Sequence, residues 1–267
     1  MKQVPEVKVR VRSFASQEEH QEVLADLQIS SQFNLRYRGL FEYYGKDLIA
    51  FKREKPRCMI RNKFLEVFSR YMTDYLEDHC PPSWQDCQPS FWEGLIFAYL
   101  PHHLKVTSEE KEVESFLSEL NRIVKRIDKI AGTSWFHTVR TYADEALIDL
   151  KICERILNRL FLKQYPDIHK EYWNFIKDFK HIEDSITHYS KTFNSLFQVV
   201  DIIGEMIILE ELIDGGTFNT IGLPFNIIKP GLLLHGAVGQ KQGQFTWSWI
   251  LTEGVYPERA KPFVVND

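Results

Sequence analysis

The sequence has few cysteines and no long uncharged apolar run, and both absences limit what the protein can be. Four cysteines in 267 residues are too few for the disulfide framework of a secreted scaffold. The N-terminal residues contain no apolar core of signal-peptide length. The longest uncharged run, 215–228, contains Gly, Pro and Asn and is too short to span a bilayer as a helix. These absences predict a cytoplasmic protein that does not enter a membrane.

Signatures of catalysis and of nucleotide binding are also missing. The chain contains no Gly-x-Ser-x-Gly, no Gly-x-Gly-x-x-Gly and no Gly-x-x-x-x-Gly-Lys-Ser/Thr. It also lacks Glu-x-x-His, which supplies ligands in di-metal carboxylate bundles. We therefore expect no cofactor and no metal, and the missing signatures favour a non-catalytic protein over an enzyme.

The charge is weakly negative as a whole but locally positive. A binder of nucleic acid or of anionic membranes is usually basic, whereas this chain carries a net charge of −4. Residues 33–63, the basic segment, contain nine basic and three acidic residues with interleaved Tyr and Phe. Such a segment can meet phosphates and stack on bases, or it can be the wet face of a packed element. The candidate nucleic-acid contacts are Arg36, Arg38, Tyr43, Lys52, Arg53, Lys55 and Arg57.

Helical periodicity dominates the middle of the chain. Apolar stripes predict helices over 64–76, 92–100, 113–131, 139–161 and 168–189, and Gly132 is a predicted C-terminal stop. A capping-box spacing, Ser16 with Glu19, predicts a further short helix. Residues 196–213 are apolar on nearly all sides. We interpret them as a central helix buried by its neighbours, with a dimer interface as the alternative.

Strand patterns are confined to the two ends. Val7 to Phe14 alternate with period two, and 33–53 favour a hairpin turning at Gly45-Lys46-Asp47 over a helix. After Gly215-Gly216 the residues become β-branched, aromatic, Gly and Pro. There, 232–238 and 245–251 predict a hairpin with a loop at 239–243. The fold class is therefore mainly α, close to all-alpha in its body and α+β overall. We predict a mixed region at 1–55, a helical body at 56–214 and a small β-rich tail at 215–267.

Three groups of residues are candidates for chemistry or binding. His79, Cys80, Cys87, His102 and His103 have zinc-ligand chemistry, but their spacing favours loop and core roles. Asp201 and Glu205 lie within the most apolar predicted helix, where carboxylates need partners. Trp247 and Trp249 alternate with polar residues, so their shared sheet face is either core or a partner-binding platform.

The aromatic rhythm of 64–120 resembles that of a known kind of helical domain. It runs Phe-Leu-Glu-Val-Phe-x-x-Tyr from Phe64, then Trp84, Phe91-Trp92-Glu93, Tyr99-Leu100-Pro101 and Phe116-Leu117. The segment resembles a helical domain of uncharacterised bacterial proteins, some of which also carry a SEC-C zinc motif. That motif is absent here, so no zinc role carries over. The resemblance implies a bacterial source and no defined activity.

These observations support three hypotheses about function. The leading one is an interaction or regulatory module that binds a protein partner or a second copy of itself. The first alternative is a nucleic-acid-associated protein that uses the basic segment. The second is an enzyme of unrecognised type with its site between the helices and the β tail, in a pocket lined by Asp201, Glu205 or the histidines.

Overall fold

The structure, a computed structural model, describes residues 14–107, 109–174, 176, 178, 180, 184 and 186–265. The chain divides into two compact units, 1–78 and 79–267, which are treated separately below. The strand predicted at Val7 to Phe14 lies outside the described residues except for Phe14. Within the predicted helix 168–189, residues 175, 177, 179, 181–183 and 185 lie outside them as well.

In its described residues, 14–78, the first unit contains three α-helices, α1 (Gln17–Ser30), α2 (Tyr43–Glu54) and α3 (Met59–Arg70). The capping box is confirmed, because Ser16 Oγ accepts from the Glu19 amide at 3.2 Å and Glu19 Oε2 accepts from the Ala15 amide at 2.7 Å. A π-helical turn, Tyr71–Tyr75, extends α3. These caps and turns satisfy backbone groups that a helix end leaves unpaired.

The predicted hairpin at 33–53 is wrong, because the segment forms a 3₁₀ turn, Tyr37–Phe41, followed by α2. Gly45 does not make a β-turn. A Cβ at this position would lie 2.3 Å from the carbonyl oxygen of Gly39, so glycine allows α2 to pack directly on the preceding turn. One face of α2, including Leu48, is then buried in the core of this unit.

The second unit begins with the long helices that the periodicity predicted. Helix α4 (Pro89–Glu93) continues through a π-helical segment, Gly94–Tyr99, into α5 (Leu100–His102). Helices α6 (Glu112–Ala131) and α7 (Trp135–Gln164) follow. The predicted stop at Gly132 is confirmed by its left-handed conformation. Among the described helices, none combines the length and the apolar character needed to cross a membrane.

Five strands then form a closed barrel in the order β1-β2-β3-β5-β4. They are β1 (Lys191–Ile203), β2 (Met206–Glu211), β3 (Thr217–Ile221), β4 (Leu233–Gln240) and β5 (Trp247–Tyr256). The β3–β5 pair is parallel and the others are antiparallel. The hairpin predicted in the tail is confirmed as β4 and β5. The α+β class is confirmed as well, whereas the all-alpha description is wrong.

The predicted central helix at 196–213 is also wrong, since the segment is the end of β1, a turn at Gly204 and Glu205, and β2. In β2 the side chains alternate, with Ile207 and Leu209 buried and their neighbours more exposed. Several outward side chains of this hairpin, such as Val200 and Ile208, are apolar too, so the alternation is hidden in the sequence. β-branched residues fit a pleated strand better than a helix, which explains the outcome.

The barrel interior is filled by side chains. Phe197, Leu209 and Val238 are completely buried, and the indole N–H of Trp249 donates to Thr252 Oγ1 at 2.8 Å. Gly236 on β4 permits this packing, because a Cβ there would lie 2.1 Å from the carbonyl oxygen of Leu251.

Candidate functional site

A bulge in the β4–β5 hairpin brings a histidine and a carboxylate together. The register shifts between His235, which pairs with Gly254, and Gly236, so Glu253 is the extra residue on β5. Glu253 Oε2 lies 3.2 Å from His235 Nε2. Its other oxygen accepts from Asn194 Nδ2 at 2.8 Å, which links β1, β4 and β5.

A second histidine joins this group from the end of α5. His102 Nδ1 is hydrogen-bonded to the hydroxyl of Tyr256 at 2.9 Å, and the two rings are nearly parallel. Partial burial lowers the pKa of His102, and nearby His235 lowers it further, while Glu253 opposes the shift. The two histidines, Glu253 and Tyr256 are called the histidine cluster below.

The histidine cluster borders a cleft of about 340 Å³. The cleft is lined by Pro101, His102, Leu104, Lys105, Val106, Leu157, Phe161, Ile168 and Glu253. Most of this surface is apolar, and its polar groups are His102, Lys105 and Glu253. A mostly apolar concavity of this size with a few polar groups is typical of small-molecule sites.

The residues with zinc-ligand chemistry are not brought together around one point. His103 Nδ1 lies 3.0 Å from the carbonyl oxygen of Tyr99, and its ring stacks on the Tyr99 ring. Cys87 is buried and Cys80 is half-buried. Within the described ranges, no group of three or more His, Cys, Asp or Glu side chains is placed to hold a metal ion.

Asp201 and Glu205 do not line the cleft. Both are exposed, Asp201 at the end of β1 and Glu205 in the turn before β2. The Asp201 carboxylate accepts from the amide of Ile202 at 2.8 Å. The prediction that these two carboxylates lie in a helix is therefore wrong, and both face solvent.

The basic segment uses much of its charge internally. Arg36 pairs with Asp74 at 2.8 Å, and Arg53 pairs with Asp26 at 2.8 Å. Lys52 is buried and donates to the carbonyl oxygen of Pro56, and burial lowers its pKa. Of the other candidate contacts, Lys55 and Arg57 are exposed, while Arg38 and Tyr43 are half-buried. The segment therefore offers less accessible charge than its composition indicates.

The two tryptophans of the tail have different environments. Trp249 is 8% exposed and contacts Phe197 in the barrel interior. Trp247 is half-buried at the start of β5, where its ring meets Phe218 of β3 edge-to-face at 5.0 Å. Phe218 in turn stacks on Phe193 of β1 at 5.4 Å.

Phe245 is close to Trp247 in the sequence and is far more exposed than these rings. It lies in the β4–β5 loop, two positions before Trp247, and 93% of it is exposed. Phe193, Phe218, Phe245 and Trp247 are called the aromatic end of the barrel below. Trp247 is thus placed where a partner can reach it, whereas Trp249 is core.

Sequence reasoning missed His235, Glu253, Asn194 and Tyr256. Asn194 lies on β1, His235 on β4, and Glu253 and Tyr256 on β5, and the barrel pairing, with its bulge, places them together. His102 was considered as a metal ligand, which its neighbour His103 made less favourable, and as one of the histidines that could line an enzyme pocket. Comparison of the chain with protein-family models, with curated proteins and with solved structures finds no match, so the function is inferred from this geometry.

Proposed function

We propose that the protein is a non-catalytic interaction module that binds a protein partner through the aromatic end of its barrel. The observation that carries the proposal is the exposure of Phe245, two positions before Trp247, whose half-buried ring contacts Phe218. Large exposed apolar groups that lie together are typical of interaction sites. Aromatic residues are also enriched among the side chains that dominate binding energy.

The surroundings of the aromatic end favour a protein partner. Ile213, in the turn that joins β2 to β3 at the same end, is a further exposed apolar side chain, with 75% of it exposed. Residues 191–265 contain five basic and seven acidic side chains. This balance gives little attraction for a phosphate backbone, whereas apolar contact with a protein does not require positive charge.

Site-specific photo-crosslinking tests the proposal. A benzophenone amino acid replaces Phe245 in the full chain, and a matched probe replaces Phe225, which is 43% exposed in the β3–β4 connection. We expect a discrete protein adduct from position 245 that is absent from position 225 and is lost when Trp247→Ala is added. Equal adducts from both positions, or none from position 245, would contradict the proposal.

The identified partner is then titrated in purified form. Phe245→Ala is expected to weaken its binding by at least about tenfold, because truncation of an interface anchor costs more than about 1 kcal/mol. Phe225→Ala serves as the control and should leave the Kd unchanged. A loss shared by both variants would point to a general effect on the barrel rather than to a site at its aromatic end.

A second candidate function is binding of single-stranded nucleic acid at the same end. Five-stranded Greek-key barrels include folds that bind oligonucleotides and oligosaccharides, although architecture alone does not establish function. The specific observation is the set of neighbouring rings, with Lys241 placed over the ring of Tyr189 nearby. Rings of this kind can stack on successive bases.

Short fluorescent oligonucleotides distinguish the candidates. Binding that falls steeply with added salt and is lost in Trp247→Ala would favour the barrel as a nucleic-acid site. Binding lost only in the triple charge reversal of Arg38, Lys55 and Arg57 would favour the basic segment. We expect neither, because both regions offer little accessible positive charge.

A further inference from the structure

The cleft beside the histidine cluster has an apolar wall built from two parts of the helical region. Leu104 and Val106 follow α5, and Leu157 and Phe161 lie on successive turns of α7. Side chains of this type remove apolar surface of a ligand from water, which stabilises the complex by about 25 cal/mol per Å². The wall therefore suits an aliphatic chain.

The lining of the cleft contains one basic and one acidic side chain, Lys105 and Glu253, and of these two only Lys105 lacks a direct partner among the described residues. Both oxygens of Glu253 are already engaged, one by His235 and the other by Asn194. Lys105 is exposed, and it makes no ion pair with any residue in the described part of the chain. An anion is therefore favoured over a cation beside Lys105, because an amine would have to compete for a carboxylate that already has partners.

His102 can contribute a directional hydrogen bond. Its Nδ1 is bonded to Tyr256, and across the described ranges its Nε2 makes no hydrogen bond. If the hydroxyl of Tyr256 donates to Nδ1, the neutral ring carries its proton on Nε2 and can donate it to a ligand oxygen. Lys105 and His102 then provide two donors in the lining of the cleft.

We propose that this cleft binds a small carboxylic acid with an aliphatic chain, such as a medium-chain fatty acid. The chain lies against Leu104, Leu157 and Phe161, and the carboxylate meets Lys105 and His102. The site is separate from the aromatic end of the barrel. It gives the protein a small-molecule ligand in addition to the protein partner proposed above.

Calorimetric titration of the full chain with decanoate, below its micelle concentration, tests the proposal. We expect saturable binding at one site, and decanol, which has the same chain without the charge, should bind at least about tenfold more weakly. Equal binding of decanoate and decanol, or no saturable heat with decanoate, would overturn the proposal.

Charge reversal at Lys105 makes the test specific. Lys105→Glu is expected to weaken decanoate binding by at least about tenfold and to allow binding of decylamine. Lys129→Glu, at an exposed position in the last turn of α6, is the matched control and should change neither. Both substitutions are on the surface, so folding should persist. An unchanged decanoate affinity in Lys105→Glu would overturn the assignment of the carboxylate to Lys105.

Trp247→Ala separates the two proposals. It removes a ring from the aromatic end and should leave decanoate binding unchanged. Loss of decanoate binding in Trp247→Ala, with binding intact in Lys105→Glu, would place the acid on the barrel surface and would contradict the cleft site.

Discussion

In the sequence, the basic segment and Trp247 of the aromatic end are both candidate binding sites. In the structure, the two regions differ in how much of the relevant surface is exposed. In the basic segment, Lys52 and Arg61 are buried, and Arg36 and Arg53 are paired with carboxylates. In the aromatic end, by contrast, 93% of Phe245 remains exposed. Charge can be compensated by local directional bonds, whereas apolar surface is compensated only by being covered. Exposed aromatic rings are therefore better evidence of a missing partner than a cluster of cations.

Replacement of Arg61 is the strongest test of whether the cations of the basic segment stabilise the fold. Arg61 is 2% exposed, donates to the carbonyl oxygen of Phe51 at 2.7 Å and lies over the Phe51 ring. Arg61→Ala leaves a cavity and an unpaired carbonyl, so we expect a loss of about 3 kcal/mol in unfolding free energy. Urea denaturation measures it, with exposed Arg57→Ala as the control. A loss below about 0.5 kcal/mol would show that Arg61 is available to a ligand.

In the second unit, the charge of Arg259 is likewise compensated by local contacts. Its guanidinium lies 4.5 Å from the ring centroid of Phe97 and 4.9 Å from that of Tyr142, and it pairs with Glu93 and Glu145. The side chain is 41% exposed, so solvent screening reduces the gain from these pairs. We expect Arg259→Ala to cost about 1–2 kcal/mol by thermal denaturation.

Arg259→Lys discriminates between two contributions at that position. It keeps the charge but loses the planar fork that bonds two carboxylates and stacks on rings. It should therefore recover only part of the loss. Full recovery would show that simple charge, rather than stacking and paired hydrogen bonds, holds Arg259 in place.

The histidine cluster gives a smaller, pH-dependent effect. The pKa of His102 is lowered in the folded state, so below its ordinary value of 6.5 the unfolded chain binds a proton that the folded chain resists. The contribution of His102 to stability is thus present above pH 6.5 and is lost as the pH falls through the lower, folded-state pKa. Urea midpoints measured between about pH 7.5 and about pH 5 should fall more in the native protein than in His102→Gln. Parallel pH profiles would contradict this role.

Phe245→Ala is expected to have the smallest effect on folding. Because the ring is almost fully exposed, its removal should change the unfolding free energy by less than about 0.5 kcal/mol. Chemical denaturation checks this, and Phe197→Ala, in the barrel interior, is the contrasting variant. A large loss at Phe245 would mean that the ring is part of the fold rather than an exposed binding group.

The helices that sequence predicted well are those with one apolar face. Helix α6 begins and ends near the predicted limits, because a single stripe faces the core and Gly132 stops it. The prediction of a helix at 196–213 was wrong for the opposite reason. Its hairpin is apolar on both faces, so periodicity was hidden. The dense β-branched residues and the turn residues Gly204-Glu205 were the available indications of strands.

The error at 33–53 and the missed site share a different cause. Gly45 was interpreted as a turn residue, but it permits close packing of α2 on the 3₁₀ turn that precedes it. Likewise, His235 and Glu253 meet only because β4 and β5 pair with a bulge. Packing and register of this kind depend on the folded backbone and leave no local pattern in a single sequence. Trp247, in contrast, could be placed on a sheet face by simple alternation.

The comparison between the two regions is tested most directly by the affinity of the crosslinked partner for two variants of the purified full chain. One is Phe245→Ala, and the other is the triple charge reversal of Arg38, Lys55 and Arg57. Our account predicts that Phe245→Ala weakens binding by at least about tenfold and that the triple reversal leaves the Kd unchanged. Intact binding in Phe245→Ala together with loss of binding in the triple reversal would contradict this account. It would show that the basic segment, rather than the aromatic end, binds the partner.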